Sequence, residues 1–156
     1  MGDRTYVELF VLLEHTDKAR KIASTYRDPD EETAEGIYTR FAFDEVSYGK
    51  LPFLDALVFE GIPYESNYAA GGDFTEGTDS CKFTENGEAI IKEISKEEYS
   101  ISIHKLYELL PSPAALGKFI SERYEYVIVL PWANQLEYSK RYLARKLIEG
   151  NVNGRT

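Results

Sequence analysis

Two histidines, His15 and His104, and one cysteine, Cys81, are all that this chain of 156 residues offers for nucleophilic or zinc chemistry. A nucleophilic cysteine needs a base within hydrogen-bond reach, and no local signature ties Cys81 to either histidine. Structural zinc takes four nitrogen or sulfur ligands at short paired spacings, which three scattered residues do not supply. The sequence has no phosphate loop, dinucleotide fingerprint or nucleophile elbow. The expectation is a chain that is not an enzyme, with no catalytic residues, no metal and no cofactor.

The carboxylates are more numerous. Asp73, Glu76 and Asp79 stand three apart, with Gly77 after Glu76. A calcium loop of the EF-hand type alternates its first ligands every second residue and closes on a glutamate at the twelfth position, and this segment does neither. Its neighbours point to binding instead. Tyr64, Tyr68 and Phe74 surround Gly71, Gly72 and Gly77, with Asn67 among them. Aromatic rings with small, adaptable residues suit a contact surface, because tyrosine gives large area for little entropy loss. Further on, Asn86-Gly87 signals a two-residue hairpin turn of type I′, which would set Glu85 directly opposite Glu88. Like charges so placed cost a few tenths of a kcal/mol, on the order of other cross-strand pairs. The expected partner-binding set is therefore Tyr64, Asn67, Tyr68, Asp73, Phe74, Glu76, Asp79, Glu85 and Glu88.

Charge is uneven along the chain. The net is −9. Residues 28–98 hold 18 acids and 5 bases, a net of −13, while residues 1–27 carry +1 and residues 99–156 carry +3. An acidic surface of this kind fits a basic protein partner, and direct nucleic-acid binding is disfavoured because a phosphate backbone demands a basic footprint. Lys140, Arg141, Arg145 and Lys146 form the one basic cluster, placed where a helix C-terminus favours positive charge. Its alternative roles are an anion contact or a homodimer face meeting the acidic middle of a second copy.

These residues need elements to carry them. The length suits one domain, residues 1–150, with a helical subregion at 102–150 and a frayed tail at 151–156. Thr5–Glu14 reads as a strand with apolar residues on both faces, followed by a helix capped by Thr16 with Ala19, Ile22, Ala23 and Tyr26 as its stripe. Asp28–Glu35 reads as an exposed acidic loop, Ile37–Tyr48 as a half-buried strand and Leu51–Glu60 as a helix stopped by Gly61. Ile62–Tyr68 is a strand, Ala69–Asp79 a glycine-rich loop, and Cys81–Glu85 with Glu88–Ile94 a hairpin. Ser112-Pro113 opens a helix carrying Leu116, Phe119 and Ile120 inward. Tyr124–Leu130 reads as a short strand or a continuation of that helix. A last helix runs to Glu149, with Trp132, Leu136, Leu143 and Leu147 on one face and Gly150 as its stop. The fold class is α+β: one mixed, mainly antiparallel sheet packed with helices, its C-terminal third helical.

No run of residues reaches membrane-span length, and the start lacks the pattern of a secretory signal, so a cytoplasmic place in the host cell and no membrane partner are expected. The function these features suggest is an acidic protein-binding module. It would be an inhibitor or regulator of anti-defence or immunity type that occupies a basic, nucleic-acid-handling site. Two other readings compete. One is a small-ligand protein or enzyme with the 64–79 loop as pocket wall and Tyr64, Asn67, Asp73 and Arg40 converging. The other is nucleic-acid binding through the basic C-terminal helix.

Overall fold

The computed structural model describes residues 3–153. Six strands form one sheet in which every pairing is antiparallel, so the mixed sheet expected from sequence is corrected to a wholly antiparallel one. In chain order the strands are β1 (Arg4–Leu12), β2 (Glu31–Glu35), β3 (Tyr38–Ser47), β4 (Tyr64–Tyr68), β5 (Gly77–Phe83) and β6 (Ala89–Ser95). Their spatial order is β2-β3-β1-β4-β5-β6. The helices are α1 (Thr16–Ala23), α2 (Leu54–Phe59), α3 (Lys96–Tyr99), α4 (Ile103–Leu109), α5 (Pro113–Val127) and α6 (Gln135–Asn153). The architecture is α+β.

The central position of β1 follows from its sequence. Val7, Leu9 and Val11 alternate onto one face and are fully buried, where they meet Phe43, Phe41 and Thr39 on β3 and Tyr68, Ser66 and Tyr64 on β4. Ala19 and Ala23 of α1, Leu57 of α2, and Tyr138 and Tyr142 of α6 close this face. Small residues on α1 let it sit close to the sheet. Tyr142 stacks on Phe83, with ring centroids 4.6 Å apart.

Several local expectations change. Thr16 does not cap α1; its hydroxyl is 2.5 Å from that of Thr39, and His15 holds the cap position without a side-chain bond. Glu31–Glu35 is not loop but an edge strand, paired to β3 from Glu31↔Ala42 to Glu35↔Tyr38. A solvated strand of five exposed residues has no alternating apolar signal to read. Strand β5 begins at Gly77, inside the segment read as loop. Residues 124–130 continue α5 as far as Val127 and then run extended, and α6 passes through Gly150 to Asn153. Residues 151–153 are thus helical rather than frayed, and 154–156 lie outside the described residues. Leu147 is exposed rather than inward, and so is Ile120. The Gly61 stop behaves as expected: its φ is +68°, and a Cβ there would lie 2.7 Å from Leu143 of α6.

Candidate functional site

The hairpin tip is not a free acidic projection. Gly87 N–H bonds to Thr84 C=O at 2.9 Å, Thr84 N–H bonds to Glu88 C=O at 2.9 Å, and only Gly87 of the tip has positive φ, +73°. That is a three-residue connection with glycine in the left-handed position, not the two-residue type I′ turn. Thr84, not Glu85, therefore stands across from Glu88. The tip lies against α6. A Cβ on Gly87 would come within 2.9 Å of the Arg141–Tyr142 backbone. Arg141 donates to Glu85 C=O at 2.8 Å, and Arg145 Nη1 reaches Glu88 Oε1 at 3.2 Å. Arg141 also pairs with Glu137, and Arg145 with Glu149 at 3.0 Å. The two arginines of the basic cluster are thus engaged with acids of their own chain, while Lys146 donates to the Phe59 carbonyl.

Residues 64–79 divide between the core and the surface. Tyr64 and Asp79, expected in a contact surface, are 3 % exposed each and lie on the α-covered face of the sheet, so neither is available to a partner. Burial raises the phenol pKa of Tyr64. Asp79 sits across from Ser66 in the β4–β5 register and accepts from Lys50 Nζ at 2.6 Å. Its carboxyl pKa is raised above the usual range because burial outweighs the lysine. Tyr68 packs on Phe74 at 6.1 Å, and Phe74 on Tyr48 at 6.3 Å, so the glycine-rich turn is folded onto its own rings. Asp3 accepts from Asp73 N–H at 2.6 Å, Asn67 accepts from Thr78 at 2.8 Å, and Glu76 pairs with Lys96. An open hollow of ≈ 700 Å³ lies between Ala70–Glu76 and Ser95–Glu97. The four polar residues of the ligand-pocket reading do not line it together: Asp73 does, but Tyr64 faces the core while Asn67 and Arg40 belong to the opposite face of the sheet.

That opposite face carries groups that the sequence pattern did not expose. Lys82 is 1 % exposed, bonded to Glu65 and 3.8 Å from the Trp132 ring. Burial lowers its pKa against the pull of Glu65. Trp132 also packs on Tyr38 at 5.5 Å, and Lys92 donates to the Glu125 and Ile128 carbonyls. Two lysines therefore hold the 125–132 stretch against the sheet. Gln135 then completes β5. Strand β4 pairs with β5 only up to Tyr64↔Cys81, so Phe83 has no strand partner on that side. The Gln135 amide supplies both bonds, to Phe83 N–H at 2.8 Å and Phe83 C=O at 2.9 Å.

A network of charged side chains surrounds the edge strand β2. Glu8, Asp17, Asp28, Asp30, Glu31, Glu32, Glu35 and Asp44 meet Arg20, Arg27 and Arg40 there, eight acids against three bases and a local net of −5. Arg40 bridges Glu8 and Glu35 at 2.9 Å each and Glu31 at 3.3 Å. Arg20 holds Glu32 at 2.5 Å, and Arg27 holds Asp30 at 3.1 Å. The bond to Arg20 lowers the Glu32 pKa. Every residue of β2 is exposed, and among the described residues no strand lies on its outer side.

Cys81 is fully buried and His104 is exposed on α4, where it pairs with Glu108 at 3.2 Å; the two are not a dyad. Among the described residues no group of three or more histidine, cysteine or carboxylate side chains could hold a metal ion, and no helix is long and apolar enough to cross a membrane. Comparison with family models, with curated proteins and with solved structures finds no match for the chain.

Proposed function

We propose that this chain is an acidic protein-binding module that occupies a basic surface of a partner, as an inhibitor or regulator of a nucleic-acid-handling protein would. The observation that carries the reading is β2: an exposed edge strand with three glutamates, set in a patch of net −5. An open edge offers backbone hydrogen bonds to an incoming strand or loop. Its carboxylates repel acidic chains and select basic ones, which also protects the edge from pairing with copies of itself. Arg20, Arg27 and Arg40 fix the carboxylates in place without cancelling them. The working surface thereby moves from the 64–79 loop and the hairpin tip to the far side of the sheet.

Two observations weigh against the competing readings. A phosphate at Arg141 or Arg145 would have to displace carboxylates already bonded there. A ligand in the 70–76 hollow would meet mostly exposed backbone and side chains at an open mouth.

The test is the combined change Asp28→Asn, Glu31→Gln, Glu32→Gln and Glu35→Gln, with folding verified by circular dichroism. The wild type captures a basic protein from host lysate at low salt, and the variant does not. Equal capture by the two proteins would rule out the edge as the docking surface.

A further inference from the structure

The helical hairpin α4–α5 has no buried residue in either helix. Leu106 and Leu109 are half-buried on α4, as are Leu116 and Phe119 on α5, and Lys105 lies 5.9 Å from the Phe119 ring, so these residues mark the side on which the helices meet. The large apolar residues exposed on one side are Ile103 at 87 % and Tyr107 at 75 % on α4 and Leu110 at 56 % at its C-cap, with Ile120 at 54 % and Tyr124 at 59 % on α5; Tyr126, at 56 %, lies off this side and bonds to Glu98. At 3.6 residues per turn, each set lies roughly a quarter-turn in the same sense from its inward residues. The short link at Leu110–Ser112 returns α5 alongside α4. In an antiparallel pair, equal rotations of the same sense bring both sets onto one side. The hairpin therefore presents a continuous apolar and tyrosine face that nothing in the chain covers among the described residues.

We infer that this face pairs with the same face of a second copy, giving a two-fold dimer through a four-helix bundle. Charge selects that occupant. Residues 100–127 hold three bases (Lys105, Lys118, Arg123) and three acids (Glu108, Glu122, Glu125), a net of zero, so the −9 of the chain lies entirely elsewhere. Two copies of so acidic a chain repel wherever the acidic surface faces itself, and the hairpin is where they meet without that cost. A basic partner, by contrast, gains nothing from a neutral face. A two-fold contact needs one self-complementary patch, and an amphipathic hairpin provides it. Five large side chains, each more than half exposed, approach the ~800 Å² per partner of a standard interface. The dimer stands independently of the acidic edge on β2, which it leaves open on both copies.

Sedimentation velocity across a wide concentration range tests the pairing, with wild type beside Ile103→Glu and Ile120→Glu. Both variants alter exposed positions, and circular dichroism checks that they fold. The expected result is a wild-type dimer, while each variant sediments as a monomer. A wild type that remains monomeric at every concentration overturns the inference, as does a dimer that survives both variants. Neither result bears on the acidic edge, because lysate capture at low salt reads that surface separately; neutralising the edge must leave the sedimenting mass unchanged.

Discussion

Arg145 Nη1 lies 3.2 Å from Glu88 Oε1, so the last helix holds the tip of the β5–β6 hairpin across most of the second half of the chain. The slightly basic ends of the sequence fold onto its acidic middle in the same way elsewhere. Arg4 pairs with Glu45, Lys18 with Glu60 and Arg20 with Glu32. Part of the charge asymmetry along the sequence is therefore internal complementarity, and the remainder is what a partner meets.

Both side chains of the Arg145–Glu88 pair are about half exposed, so its energy is small. A double-mutant cycle on Glu88→Gln and Arg145→Ala should give a coupling below about 1 kcal/mol, shrinking as salt is added. A coupling insensitive to salt would mean that the pair acts through packing.

Gly87 bears more of the docking than the ion pairs do. Its φ of +73° and the 2.9 Å approach of the α6 backbone leave no room for a Cβ. Gly87→Ala should lower stability in urea unfolding by more than about 1 kcal/mol, since the strained backbone and the lost contact add. Equal stability would show that the tip can lift from α6 without cost.

Gln135 is 2 % exposed and makes two bonds to Phe83. Gln135→Ala strands a buried N–H and C=O at the end of β5, and a loss of about 2–4 kcal/mol is expected in urea unfolding. Gln135→Glu keeps the acceptor but at neutral pH sets a carboxylate oxygen against the Phe83 carbonyl, and should not recover that loss.

How these residues came to matter explains what the sequence reveals. The alternation of Val7, Leu9 and Val11 and the glycine after α2 are local signals, and both elements form, although the strand stops at Leu12 and the helix starts only at Leu54. The roles of Glu85 and Glu88 depend on α6, more than fifty residues away, and no local pattern encodes that meeting. Tyr64 and Asp79 have the composition of a contact surface, yet the β4–β5 register turns both onto the packed face. Period-two alternation assigns a face but not which face is covered. Gln135 and Lys82 were invisible for the same reason: a polar residue in the interior is chosen by its distant partner, here the end of β5 and the Glu65–Trp132 pair. Strand β2 lacked an apolar face altogether, so an acidic stretch that forms a strand only by pairing read as loop.

Cys81 is fully buried, and burial pushes its thiol up to about 12. Ellman's reagent at mildly alkaline pH should leave the native protein unmodified and titrate one thiol in denaturant. Rapid reaction of the folded protein would place the residue near a route to solvent.

Asp79 gives the acid limb of stability an unusual sign. Its carboxyl is raised from the usual 3.8 by burial, so the folded state binds the proton more tightly than the unfolded chain. As pH falls through the window between the raised value and 3.8, this residue adds stability. Asp79→Asn removes that gain. Wild type should therefore gain on the variant on acidification in urea unfolding run at several pH values, whereas parallel curves would show Asp79 unshifted.

The central claim is that exposed carboxylates around β2 bring a basic partner to the edge strand. Electrostatic steering of that kind acts on the rate of association more than on dissociation. The decisive measurement is the association rate constant with the captured partner as a function of ionic strength, for wild type and for the Asp28→Asn, Glu31→Gln, Glu32→Gln, Glu35→Gln variant. The wild-type rate should fall steeply with salt, and the variant should start slower and respond less. Identical rates and identical salt slopes for the two proteins would contradict the claim.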